Sequence, residues 1–149
     1  YEQIHLLKKN LKAVAAGIIS GTLAGLCSIL LISKLFGFNH QEYVTMLPKS
    51  ITTAIGMGVS EELGGIVTIT VAVIIITGVL GNMIAEVVYK IAKIEEPIAR
   101  GLGLGTSAHA IGTAKAMELG PVEGAMSSLA IAVAGLLTVV GASVFAGMM

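Results

Sequence analysis

The side chains that could bind a small anion are concentrated in one glycine-rich stretch of the C-terminal half. Arg100 opens the stretch, and its guanidinium can make two parallel charge-assisted hydrogen bonds to a carboxylate. Three hydroxyl donors suited to a hydroxy acid or keto acid follow: Thr106, Ser107 and Thr113. These residue types predict a carboxylate site. The alternatives are that Arg100 anchors the chain at lipid head groups and that the hydroxyls satisfy backbone or packing needs.

His109 lies within the same stretch. Imidazole titrates near ambient pH, so the ring could carry a coupling proton or donate a hydrogen bond to an anion. The alternative is a neutral ring bonded to a backbone carbonyl that a helix break has freed. Glu118, nine residues on, is the only other potential ligand nearby, so neither a metal site nor a cofactor is predicted.

A second polar stretch, residues 50–60, offers similar chemistry. Lys49 precedes it and is interpreted as a charge at the mouth of the site. Glu61 and Glu62 end it, and one of them could carry a coupling proton, because two adjacent acids at low dielectric do not both ionise cheaply. The alternative is that both are interfacial loop charges. The stretch contributes three hydroxyl side chains to the predicted site: Ser50, Thr52 and Thr53.

The composition indicates a membrane protein. The chain has 149 residues, of which 55% are hydrophobic and 12% charged, and its mean hydropathy is +0.93. Soluble domains carry about a quarter charged residues, and a small soluble fold could not hide this much apolar surface. A soluble enzyme is therefore excluded, as are a disordered segment and a disulfide scaffold. Nine acidic residues balance nine Lys and Arg without a basic run, so no nucleic acid partner is predicted.

Three charge-free stretches are long enough to span about 30 Å of hydrocarbon. They are Ala13–Ser33, Leu63–Ala85 and Gly124–Met149, and we place the spans at about 13–33, 63–89 and 122–147. The polar stretches fall in two shorter elements, about 48–62 and 98–119, whose backbone must be covered by protein or line a cavity. A half-helix beginning near Thr106 would offer its N–H groups to an anion. The fold predicted for 1–149 is a single all-α transmembrane domain with three full helices and two broken or re-entrant elements.

The two polar elements resemble each other. Residues 54–56 match 110–112, and 62–64 match 118–120, all at an offset of 56. Each copy precedes a predicted span. Basic clusters lie before the first span and after the second, so the positive-inside rule puts both on the cytoplasmic side. If both elements re-enter, the units form an inverted repeat, as in many secondary transporters. If 98–119 crosses outright, the repeats are parallel.

The first predicted span has small residues every four positions, at Gly17, Gly21 and Gly25. They lie on one helix face and permit tight helix–helix contact. This face could serve the assembly of an oligomeric pore or of a transporter dimer, and a homodimer is the expected state from the statistics of symmetric oligomers.

Several motifs together resemble the LrgB/CidB family, from about Leu47 to Leu137. They are Leu47–Thr53, Ser60–Ile66, Ala99–Ala114 and Glu123–Ser127. The most specific part is Arg-Gly followed by Gly-Thr-x-x-His-x-x-Gly-Thr. Members are usually longer, so the chain is expected to correspond to the C-terminal two-thirds of one. The family commonly has proline at the positions of Ala54 and Val67, where this chain is expected to run as straighter helix.

The resemblance implies a multi-pass protein of the bacterial inner membrane with a smaller LrgA/CidA-type membrane partner. The family is described as holin- or antiholin-like regulators of murein hydrolase activity, autolysis and programmed cell death. It is also described as transporters of small carboxylates of the pyruvate, glycolate and lactate class. The residues favour transport, because a lytic hole does not require repeated polar breaks. The holin-like function is the alternative.

Overall fold

The computed structural model describes residues 2–149, and it places them in seven helices with no strand among them. The helices are α1 (Glu2–Lys9), α2 (Leu11–Phe36), α3 (His40–Met46), α4 (Thr53–Glu62), α5 (Val67–Ile91), α6 (Pro97–Leu119) and α7 (Pro121–Ala146).

Three helices, α2, α5 and α7, are long and apolar enough to cross a membrane. Large apolar side chains on each of them point outward, and Leu35, Ile91 and Leu136 are 77%, 78% and 71% exposed. Such surfaces would be costly in water and are suited to lipid. The all-helical class and the three candidate spans predicted from composition are confirmed.

The first half of α6 runs in the same direction as α7. Gly101 packs on Glu123, and four residues later Gly105 packs on Ser127, so the two helical segments run parallel. Glycine is required here because a Cβ at Gly105 would lie 2.5 Å from the Ser127 carbonyl oxygen. At His109 the backbone leaves the helical region, with φ 42° and ψ −135°.

Beyond His109 the chain runs the other way along α7. Thr113 Oγ1 lies 2.7 Å from Ser127 Oγ, and Met117 packs on Gly124. Gly112 also lies against the carbonyl of Leu104, eight residues earlier, which no continuous helix would allow. The α6 segment is therefore a helical hairpin, here called hairpin B, with a first arm (97–108) and a second arm (110–119). The second arm begins after His109, so the half-helix expected near Thr106 is displaced by about one turn.

A second hairpin, hairpin A, consists of α3, a turn over 47–52, and α4. Thr70 of α5 contacts both sides of it: its Oγ1 donates to the Thr45 carbonyl at 2.8 Å and lies 2.7 Å from Ser60 Oγ. One residue of α5 can reach both only if α3 and α4 lie side by side. The α3 helix, which was not predicted, begins with a capping box formed by Asn39 and Glu42.

The helix α2 packs against both hairpins through its glycine face. A Cβ at Gly17 would lie 2.9 Å from Leu102, and one at Gly21 would lie 2.7 Å from Thr106 Oγ1. Gly25 faces Ser50 of hairpin A. This corrects the idea of an assembly surface, because the chain's own hairpins occupy the face predicted to meet a second subunit.

The helix starts also correct the expectation of straighter helix. Both Ala54 and Val67 lie in the first turn of their helices although neither is proline. Gly64, with φ 78°, supports the turn that separates α4 from α5. These helix ends are thus set by neighbouring turn residues and by packing, and proline is not needed to define them.

Two glycine-to-alanine variants test whether close backbone contact holds hairpin B on α7. Gly105→Ala forces a methyl group against backbone and should cost about 1–3 kcal/mol. Gly58→Ala, in α4, meets nothing within 4 Å and should be neutral or stabilising by up to about 1 kcal/mol. Thermal unfolding in detergent should show a lower Tm for the first variant only. Equal Tm values for the two would contradict the packing described.

Candidate functional site

The turns of the two hairpins reach the same part of α5. His109, at the turn of hairpin B, has its Nε2 2.8 Å from the carbonyl oxygen of Ile74. Lys49, in the turn of hairpin A, lines a cavity together with Thr77. Ile74 and Thr77 are one helical turn apart, and Thr77 lies about 15 Å from the start of α5 and about 21 Å from its end. The two turns therefore meet near the middle of the helix.

The contacts with α2 give the same result from the other side. Thr106 of hairpin B meets Gly21, and Ser50 of hairpin A meets Gly25. These glycines are four residues apart, which is about 6 Å along a helix. Thr106 and Ser50 therefore lie about one helical turn apart along α2.

Lys49 is the cation of this region. Its Nζ donates to Ser50 Oγ at 2.8 Å, which uses one of the three ammonium donors. Within residues 2–149, no carboxylate lies within 4 Å of this ammonium. The position of Lys49 in the sequence predicted a charge at the mouth of the site, whereas the residue lies about halfway along α5, on the cavity that reaches Thr77. Finding it there requires knowing how the hairpins pair, and the signal in the sequence is only its position beside Ser50.

The cavity next to Lys49 has a volume of about 520 Å³ and runs between α5 and the first arm of hairpin B. Its walls are mostly apolar, with polar groups at Lys49, Thr77 and Ser107 at one end and Tyr89 at the other. A volume of this size holds a small organic molecule. Thr77 and Tyr89 were not among the predicted site residues.

The predicted hydroxyl donors of hairpin B bond to their own arms. Thr106 Oγ1 donates to the Leu102 carbonyl at 2.8 Å, and Ser107 Oγ donates to the Gly103 carbonyl at 2.6 Å. Thr113 Oγ1 donates to the His109 carbonyl at 3.0 Å. Each hydroxyl donates its hydrogen bond to the backbone, so it can only accept a hydrogen bond from a ligand. Of the three, only Ser107 is exposed, and it lines the cavity.

The ring of His109 is 3% exposed and holds the turn in place. Because a carbonyl oxygen only accepts, the Nε2 that contacts Ile74 must carry a hydrogen. The carbonyl comes from α5 rather than from the broken helix itself. The ring thus ties hairpin B to α5, and its Nδ1 is left as the second polar atom.

Hairpin A brings further predicted residues to its turn. Thr52 precedes α4 and Thr53 is its first residue, and both are half-buried beside Lys49 and Ser50 in sequence. Thr52 makes no side-chain capping bond. Thr52 and Thr53 therefore lie at the turn of hairpin A through their place in the chain.

Three predicted site residues lie elsewhere. Arg100 is nine residues before His109 in the first arm, which places it about 13 Å from the turn along the helix. Glu61 and Glu62 are exposed at the far end of α4, about 12 Å along that helix from its start. None of the three reaches the meeting point of the turns.

The arrangement defines a helical membrane protein in which two hairpins meet turn to turn against three long apolar helices. The sequence comparisons identify the family to which the chain belongs. The LrgB-like family matches residues 1–148, and the chain belongs to that family.

Curated relatives support this assignment. The chain is 36% identical over 138 residues to the holin-like protein CidB of Staphylococcus aureus, covering 93% of this chain and 60% of the relative. It is 37% identical over 138 residues to CidB of Staphylococcus epidermidis, with the same coverage. It is 36% identical over 140 residues to the antiholin-like protein LrgB of Bacillus cereus, covering 94% and 61%. The chain thus spans about 60% of the length of these relatives.

These comparisons confirm the resemblance seen in the motifs. The names of the relatives are those of membrane proteins, and neither name denotes an enzyme. No solved structure gives a significant match.

Substitutions at His109 test whether its ring holds the turn. The φ of 42° suits glycine, so His109→Gly relaxes the backbone while losing the ring's hydrogen bond, and the two effects of about 1 kcal/mol each should nearly cancel. His109→Leu keeps the strain and loses the bond, so it should be less stable by about 1–3 kcal/mol. Thermal unfolding in detergent measures both, and a leucine variant as stable as the glycine variant would contradict this role.

Proposed function

We propose that this chain forms the substrate pathway of an LrgB-type transporter for small monocarboxylates such as pyruvate, glycolate and lactate. The observation that carries the proposal is the Lys49 ammonium near the middle of α5, with no carboxylate within 4 Å in the described part of the chain. A lysine at such a depth in a membrane is expensive and is a functional site by default.

The proposal depends on both hairpins entering the membrane without crossing it. The first arm of hairpin B has 12 residues, about 18 Å of helix, which is too short for about 30 Å of hydrocarbon. Basic residues at the start of α2 and the end of α5 assign those ends to the cytoplasm. Hairpin B then enters from the cytoplasmic side and hairpin A from the outer side.

The two hairpins with their following spans are, in this proposal, an inverted repeat. Hairpin A precedes α5 and hairpin B precedes α7. In each unit a buried hydroxyl pair 2.7 Å apart joins the returning arm to the span: Ser60 with Thr70, and Thr113 with Ser127. The parallel contacts of α7 with the first arm of hairpin B, and the pairing of that arm with α5 in the opposite sense, support the inversion. Such repeats place the binding site at the midplane.

A bound monocarboxylate would neutralise Lys49. Two of the ammonium donors are free for the anion, and a charge-assisted hydrogen bond is strongest in a low dielectric. The exposed hydroxyl of Ser107 and those of Thr52 and Thr53 are the nearest candidates for contact with a keto or hydroxy group. We assign Thr106 and Thr113 to shaping the hairpin that holds the anion.

Proton coupling is proposed through His109 at the meeting of the turns, because its Nδ1 is available to accept a proton. Glu61 and Glu62, exposed at the outer end of hairpin A, would take up protons from the outer water rather than touch the anion. We place the protein in the bacterial inner membrane, as a homodimer with an LrgA/CidA-type membrane partner.

A holin-like or antiholin-like function, regulating murein hydrolase activity, autolysis and programmed cell death, is the second candidate. The names of the relatives favour it. On this alternative an oligomer of the chain would open a non-selective path across the membrane. The two candidates differ in selectivity, so flux measurements separate them.

Thiol labelling tests the topology. In a Cys27→Ala background, cysteines at Glu61 and Glu118 should react with a membrane-impermeant thiol reagent from opposite sides in oriented vesicles, because the two hairpins enter from opposite faces. Lys34→Cys, at the outer end of α2, is the control and should label with the Glu61 position. Labelling of positions 61 and 118 from one side would contradict the inverted arrangement.

Uptake of labelled pyruvate into proteoliposomes tests the transport function. The wild type should exceed empty vesicles, and Lys49→Gln should lose at least about 90% of the flux because one charge-assisted bond is worth a factor of about ten or more. Lys34→Gln, an exposed lysine of the same helix bundle, should retain the wild-type flux.

Measurements on the same proteoliposomes would also reveal the results that contradict the transport function. Absence of pyruvate flux with folded protein would exclude the transporter. Release of an entrapped dye that is insensitive to Lys49→Gln would instead support the holin-like function.

A further inference from the structure

A second cavity lies where α5 ends and α6 begins. Its volume is about 370 Å³, and its lining includes three cations: Lys90, Lys93 and Arg100. Two carboxylates, Glu86 and Glu95, also line it. Glu86 is bound to Lys115 of hairpin B. The cavity therefore has an excess of positive charge.

Arg100 is held by backbone groups rather than by an acid. Its Nε donates to the Ile94 carbonyl at 2.7 Å, and its guanidinium carbon lies 5.8 Å from the centre of the Tyr89 ring. The Tyr89 hydroxyl in turn donates to the Arg100 carbonyl at 2.8 Å. Over residues 2–149, no carboxylate lies within 4 Å of the guanidinium. Its terminal amino groups are thus oriented but not neutralised.

The backbone is strained at the end of α5, where Lys93 lines this cavity. Lys93 has φ 53°, in the left-handed region that glycine normally occupies after a helix. The Ile94 N–H donates to the Tyr89 carbonyl at 2.9 Å, which closes the helix end. The Ile94 carbonyl then lies where the Arg100 Nε donates to it. A lysine at a glycine-type position costs stability, and such strain is often retained for function.

We propose that this cavity is a second anion site, at the cytoplasmic end, that binds a carboxylate or phosphate group between Arg100 and the two lysines. Tyr89 lines both this cavity and the larger one that reaches Lys49. The two sites therefore lie in series along α5, with Tyr89 between them. The inference rests on the proposed function only for the class of ligand. It assigns Arg100 to the cytoplasmic site, whereas the sequence predicted this residue for the central site.

Equilibrium binding of labelled pyruvate to the protein in phosphatidylcholine nanodiscs tests the proposal. The wild type should bind two molecules per chain, and Arg100→Gln and Lys49→Gln should each bind one. Lys34→Gln is the control and should bind two. Two molecules bound by Arg100→Gln would overturn the second site. One molecule bound by the wild type and by Lys49→Gln, and none by Arg100→Gln, would support the second site while removing the central one.

A second variant covers the case in which Arg100→Gln unfolds through loss of the Ile94 contact. Lys93→Gly suits the left-handed backbone, so its Tm should equal or exceed that of the wild type, while affinity at the second site should fall about tenfold. Unchanged affinity in this variant would overturn the proposal.

A second version of the binding experiment, with an anionic lipid in the nanodiscs, distinguishes a lipid head group from a free anion as the ligand. Adding phosphatidylglycerol should lower wild-type pyruvate binding to one per chain if a lipid head group occupies the site. It should leave two per chain if the ligand is a free anion. Both results support the site, and a loss that persists in Arg100→Gln would count against it.

Discussion

Inside hydrocarbon every backbone polar group needs a partner within the protein, and a chain that reverses there meets this constraint at its turn. Hairpin B reverses at His109, whose carbonyl accepts from Thr113 and whose ring reaches the Ile74 carbonyl of α5. Hairpin A bonds its turn to itself and uses Thr45 to accept from the Ile66 N–H. The turn residues His109 and Thr113 of hairpin B, and Thr45 of hairpin A, therefore stabilise the fold without a ligand.

Lys49 differs from these residues because only one of its three ammonium donors is hydrogen-bonded within the fold. One donor goes to Ser50, and the residue lines a cavity with largely apolar walls. A half-buried cation with an incomplete shell is stabilised by an anion of suitable size, so the same feature that weakens the empty protein would drive binding. Since a neutral pore gains nothing from such a charge, the position of Lys49 argues for a selective path.

The sequence predicted the parts of the fold that depend on local pattern. Composition and uninterrupted apolar length identified three spans. The Gly-Thr-rich breaks pointed to the segments that form α4 and α6, whereas the α3 arm of hairpin A was not predicted. The sequence could not predict which residues meet, since this depends on contacts between distant segments: Lys49 with the wall of α5, or Glu86 with Lys115. Arg100 was grouped with His109 because they share one motif, although about 13 Å of helix separates them. The glycines of α2 were correctly seen as a packing face, but their partner lay within the same chain.

That internal partner bears on how the proposed transporter would move. Gly17, Gly21 and Gly25 present a nearly smooth surface of α2 to both hairpins, and small residues let helices shift past one another without interlocking side chains. By contrast, hairpin B is fixed to α7 by glycine contacts at both arms and by the Thr113–Ser127 pair. Hairpin A is fixed to α5 through Thr70. Each hairpin therefore has one of the spans as its partner, and hairpin B is also tied to α5 through His109 and Ile74. In the proposed inverted arrangement, each hairpin closes the region of Lys49 from one side of the membrane. Displacement of either unit along the glycine face of α2 would then have to break the His109 contact before it exposed the cation to that side alone.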